Sequence, residues 1–99
     1  MEFEYDPRKS EANLSKHGIS FAQSQKLWTQ GRTVTFNSIN AGNDESRQIT
    51  IGKIEGKYYS AITTQRAERT RIISVRRARQ KEIEVYEQSI CYPERGANR

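Results

Sequence analysis

The chain has 99 residues, 33% hydrophobic and 29% charged, which suits one domain with a small core and leaves no room for separate cofactor and substrate domains. Seventeen Lys and Arg against twelve Asp and Glu give a net charge of +5, which favours an anionic partner such as nucleic acid or an acidic protein. A single Cys and a single His exclude an internal disulfide and a soft-metal site, and no segment approaches the roughly 20 apolar residues of a membrane span.

Met1-Glu2-Phe3-Glu4 is acidic and lacks a signal-peptide core, so a cytoplasmic setting is expected. Phe3 and Tyr5 alternate with Glu2, Glu4 and Asp6, a period of two that predicts a short first strand at a sheet edge. Asp6-Pro7 opens a helix, because Asp caps orphan N–H groups and Pro suits the first helical position. That helix runs to Lys16 or His17, and Gly18 supplies a left-handed cap. Ser20 with Gln23 matches a capping box and starts a second helix that ends near Gly31. Thr33 to Phe36 reads as a strand, and residues 37–46 have the composition of a loop. Arg47 to Ile54 and Lys57 to Thr64 read as two strands of a hairpin turning at Glu55-Gly56. Thr70 to Ser74 is a further strand. Arg76 to Ile90 is predicted helical, with Ser74 as its cap and Ile83, Tyr86 and Ile90 on one side. The expected fold is α+β: an antiparallel sheet with two N-terminal helices and one C-terminal helix. Residues 1–90 form the single domain, and residues 91–99 a flexible tail.

The charge is concentrated. Residues 1–45 carry a net −1 and residues 46–99 a net +6, with seven basic groups and one acid between Arg66 and Lys81. Arg69 and Arg71, two apart on a strand, share a face. Arg76, Arg77 and Arg79 would fall in the first turns of the last helix, where the positive end of the dipole disfavours cations. Arginines placed there point to an external anion, and their planar forks suit phosphate. Arg69, Arg79 and Lys81 belong to the same set of candidate anion-binding cations. His17, the only imidazole, and Glu68, an acid among cations, are the two candidate proton acceptors. Of Tyr58 and Tyr59, on opposite faces of one strand, one belongs in the core and the other is placed to stack on a base. Cys91 has no basic neighbour in sequence that would activate it.

Phe3-Glu4-Tyr5-Asp6-Pro7, Asn13 and Lys16-His17-Gly18-Ile19-Ser20-Phe21 resemble the opening of the BrnT family of bacterial toxins. Arg47 with Gly52, then Thr64-Gln65-Arg66, Arg71 to Ala78, Glu82 and Tyr86-Glu87 resemble its second signature. Tyr5, Gln65 and Val75 depart from it: the family usually has Trp, often Glu, and usually Ala there. The resemblance implies a RelE-like fold and a toxin of a type II toxin–antitoxin pair, acting as an endoribonuclease without metal or cofactor. It implies RNA as substrate and a ribbon-helix-helix antitoxin resembling BrnA as partner. Operator DNA would be reached only through that antitoxin, with dimerisation possible within the complex and no membrane involved. Catalytic roles would fall on His17, Arg66, Arg71, Arg76 and Arg77, with Glu68 added from its position among the cations, and RNA-binding roles on Arg69, Arg79 and Lys81. The same basic surface also fits a non-catalytic subunit that binds nucleic acid or the antitoxin.

Overall fold

The computed structural model describes residues 2–38 and 47–91. The elements run β1 (Glu2–Glu4), α1 (Pro7–His17), α2 (Phe21–Ser24), α3 (Lys26–Thr29), β2 (Val34–Ser38), β3 (Arg47–Ile54), β4 (Lys57–Arg66), β5 (Arg69–Arg77) and α4 (Gln80–Cys91). The architecture is α+β, as expected. Most of the expected loop, residues 39–46, and the tail from residue 92 lie outside the described residues.

Local chemistry sets the helix ends. The Asp6 carboxylate accepts from the Arg8 N–H at 2.9 Å, and Gly18 closes α1 with φ 79° while donating to the Leu14 carbonyl. The Ser20–Gln23 capping box is present in both directions. The expected second helix is nevertheless broken into two single turns. The Ser24 hydroxyl donates to the Phe21 carbonyl at 2.7 Å, and the Gln25 N–H reaches back only three residues, to Ala22. Local side-chain competition and tightened turns therefore interrupt the ladder at Gln25.

The sheet order is β1-β5-β4-β3-β2. Strands β2 to β5 form an antiparallel meander, in which two-residue turns join β3 to β4 at Glu55-Gly56 (φ 52° and 81°) and β4 to β5 at Ala67-Glu68, where Ala67 has φ 55°. The antiparallel expectation fails at β1, which pairs with β5 in parallel, Glu2 with Arg69 and Glu4 with Arg71. The sheet is mixed. Three residues that pair with a strand 67 positions away carry no local signal of direction.

Two further boundaries differ from expectation. β5 continues to Arg77 rather than stopping near Ser74. The register changes between Ile62↔Ser74 and Thr63↔Ile72, which leaves Ile73 as an extra, bulged residue. The bulge shifts the alternation by one, so Val75 returns to the core and the period-two signal loses phase at that point. α4 accordingly starts at Gln80, not Arg76, and Ser74 caps nothing. Its actual cap is Arg79, whose carbonyl accepts from the Ile83 N–H and whose own N–H donates to the Glu82 carboxylate at 2.8 Å.

The main core lies between one sheet face and α1 to α3: Ile19, Phe21, Leu27, Ile54, Tyr59, Ala61, Ile72 and Val75, flanked by Phe3, Tyr5 and Trp28. Phe3 packs on Trp28 at 4.8 Å, and Tyr5 meets Phe21 edge-on at 5.6 Å. α4 covers part of the opposite face, where Ile51 and Tyr86 are buried. Past β1, the outer edge of β5 is closed by a side chain. The Asn13 amide donates to the Val75 carbonyl at 2.9 Å and accepts from the Val75 N–H at 3.2 Å, as a neighbouring strand would. Among the described residues, no helix is long and apolar enough to cross a membrane.

Candidate nucleic-acid interface

The register places the charged residues of four strands in rows on the sheet face that carries α4. Arg47, Thr64, Arg71 and Glu4 form one row across β3, β4, β5 and β1. Arg66, Arg69 and Glu2 form the next row outward. Phe36, Ile49 and Ile62 form the row inward, between the charges and the residues under α4.

Three arginines converge on Glu4. Arg71 Nη1 lies 3.3 Å, Arg66 Nε 3.8 Å and Arg69 Nη1 3.8 Å from its carboxylate oxygens, and Arg69 Nε also reaches Glu2 at 3.4 Å. Arg66 and Arg69 keep more than half of their side-chain surface exposed (53% and 59%), so their forks remain open to a ligand. Glu2, Glu4, Gln65, Arg66, Ala67, Glu68 and Arg69 line an open depression of about 880 Å³. Three guanidinium groups on one exposed sheet face, beside carboxylates, can hold a phosphodiester and stabilise charge that builds on it.

The other expected site residues are distributed differently. Arg76 is on the same sheet face but closed off. Its two Nη atoms each lie 2.8 Å from a Glu82 oxygen, and the Ser60 hydroxyl also donates to Glu82 at 2.8 Å. This ties α4 to the sheet, with side-chain exposure of 20% for Arg76 and 13% for Glu82. The Arg76 fork holds the Glu82 carboxyl down to about 2, helped by the Arg79 N–H and Ser60 and opposed by burial. Glu82 in turn raises Arg76 above its ordinary value. Neither Arg76 nor Arg77 occupies a helix N-terminus, contrary to the sequence expectation. Arg77 ends β5 on the opposite face, over the Tyr59 ring at 5.7 Å. Arg79 and Lys81 are exposed at the start of α4.

His17 lines a separate groove between α1 and β5, with Lys9, Asn13, Lys16, Ile73 and Ser74. Glu68 sits at the tip of the β4–β5 turn and lines the arginine depression. Gln65 pairs with Thr70 on the opposite sheet face from Arg66, and its amide oxygen accepts from the Thr70 hydroxyl at 3.3 Å. Tyr59 is the core tyrosine. Tyr58 packs edge-on against Tyr86 at 5.6 Å, donates to Glu87 and lies under Lys53, which places it in the α4 contact.

Of the residues the sequence singled out, the structure brings Arg66, Arg69, Arg71 and Glu68 together and sets His17, Arg76 and Arg77 apart from them, and the sequence reading missed Glu4 as the carboxylate that gathers the arginines. The alternation of Glu2 and Glu4 with Phe3 was the available signal, since it already set both acids on one face.

No curated protein matches the chain. Residues 5–82 match the family profile of the ribonuclease toxin BrnT of type II toxin–antitoxin systems, a match that runs from the end of β1 to Glu82 in α4. A toxin of that type has a cognate antitoxin as its partner. With the match spanning most of its length, this chain belongs to the BrnT family of ribonuclease toxins.

Proposed function

We propose that this chain is an active, metal-independent endoribonuclease, with the RelE-like architecture that its resemblance implies, and that it cuts RNA on the Arg66–Arg69–Arg71 face. The observation that carries this reading is the convergence of the three guanidinium groups on Glu4, on a part of the sheet that α4 does not cover. In the reaction, the ribose 2′-hydroxyl loses its proton and its oxygen bonds to the adjacent phosphorus. The bond from phosphorus to the 5′ oxygen breaks, that oxygen takes a proton, and a 2′,3′-cyclic phosphate remains. The arginine forks stabilise the charge that gathers on the phosphoryl oxygens. Glu4, held by three arginines, keeps those forks in place. Glu68, which forms no ion pair among the described residues, is the carboxylate available to take the proton. A ribbon-helix-helix antitoxin would neutralise the toxin by covering this face and carry the complex to operator DNA, and the cytoplasm is where both partners and substrate would meet.

The test uses purified protein and a defined RNA with a chelator present. Wild type is expected to release fragments ending in a 2′,3′-cyclic phosphate, and an Arg66→Ala/Arg71→Ala double variant of unchanged circular dichroism to release none. Folded wild type that binds RNA without cutting it would leave the chain as a non-catalytic nucleic-acid-binding subunit. The placement of His17 in a separate groove is the observation on the side of that second reading.

A further inference from the structure

We infer that Arg47 is a substrate-contacting residue that, together with Arg71, grips an RNA phosphodiester above Thr64. This inference rests on the ribonuclease reading and assigns that site a residue the sequence analysis did not. Arg47 and Arg71 stand in the same cross-strand row, separated by β4. Neighbouring strands lie about 4.8 Å apart, so the two backbones are about 10 Å apart, a gap that two arginine side chains reaching inward can span. Every other arginine on this face has a carboxylate: Arg66 and Arg71 have Glu4, Arg69 has Glu2 and Glu4, and Arg76 has Glu82. Among the described residues, Arg47 has none, and its Nε is buried without a hydrogen-bond partner. A buried guanidinium donor left unsatisfied is costly, and native proteins keep few of them. Its row continues into the shared anion site rather than into the α4 contact. A phosphate held by the Arg47 fork would give this side chain the anionic partner that the other arginines of the face already have. The adjacent row, Phe36, Ile49 and Ile62, is apolar and only partly buried, a surface suited to the base of the same nucleotide.

The experiment measures binding of a fully 2′-O-methylated RNA oligonucleotide, which cannot be cut, by fluorescence anisotropy over a range of salt. Arg47→Gln is expected to weaken binding about ten-fold and to lower the salt slope by about 0.7, the loss of one single-strand phosphate contact. Arg47→Lys is expected to recover the slope but not the affinity, because the fork is lost. Wild-type affinity and slope in folded Arg47→Gln would overturn the inference while leaving the ribonuclease reading standing. Wild type that does not bind the oligonucleotide at all would overturn both. If Arg47→Gln fails to fold, the Arg47 Nε–H resonance of the unaltered chain decides the matter. It shifts on titration with the oligonucleotide if Arg47 touches the phosphate, and stays fixed if it does not. A shift with inorganic phosphate but none with the oligonucleotide would make this a small-anion site and overturn the RNA assignment.

Discussion

Asn13 shows how a single side chain can stand in for a strand. Its amide pairs with both backbone groups of Val75 and also donates to the Ile19 carbonyl at 2.8 Å, so it ties α1, the turn after it and the edge of β5 together. Asn13→Ala leaves those buried groups unsatisfied and is expected to cost about 2–4 kcal/mol in urea unfolding. Glu82 is the second such residue. Its carboxyl titrates near 2 instead of 4.5, so the folded state gains from its ionised form above pH 4.5 and loses that gain as pH falls from 4.5 towards 2. The loss is worth about 2–3 kcal/mol, and Glu82→Gln is expected to abolish that acid dependence while lowering stability at neutral pH by a similar amount. Thermal unfolding across that pH range checks both statements. At the arginine face, Glu68→Gln is expected to slow RNA cleavage by about 10²-fold, as loss of a general base does, whereas His17→Ala leaves it unchanged. Single-turnover rates of the two variants separate the two carriers of the proton.

At the level of elements, what was legible followed from local chemistry. The Asp6-Pro7 start, the Gly18 stop, the Ser20–Gln23 box and the Glu55-Gly56 turn each act over a few residues, and each is present as read. Gly56 adopts φ 81° with open space around it, so Gly56→Ala meets no clash and only backbone strain. The expected cost is about 1–2 kcal/mol, seen as a lower urea midpoint with an unchanged slope. What was not legible depended on partners far away in sequence. The bulge at Ile73 is fixed by the β4 register, and it carried β5 on to Arg77 and moved the start of α4 to Gln80. That displacement is why Arg76 and Arg77, expected at a helix N-terminus, are strand residues with different tasks. Arg76 secures α4 to the sheet, and Arg77 lies over Tyr59. The parallel pairing of β1 likewise brought Glu4 to the arginines, a meeting that no spacing in the sequence encodes.

Across the whole molecule, the two sheet faces divide the work. One face carries the helices of the N-terminal half and most of the core. The other is covered at one end by α4 and, away from α4, holds Arg66, Arg69 and Arg71. The basic excess of the second half of the chain is thus partly spent on structure, at Arg76, and partly displayed, at Arg66, Arg69 and Arg71. The displayed part is where toxicity should reside. The most direct test is to induce the wild type and the Arg66→Ala/Arg71→Ala variant in bacteria, confirm that both accumulate folded, and follow growth together with bulk RNA. Growth arrest with RNA decay for the wild type, and neither for the variant, is the predicted result. A well-expressed wild type that leaves growth and RNA intact, or a folded variant as toxic as the wild type, would contradict it.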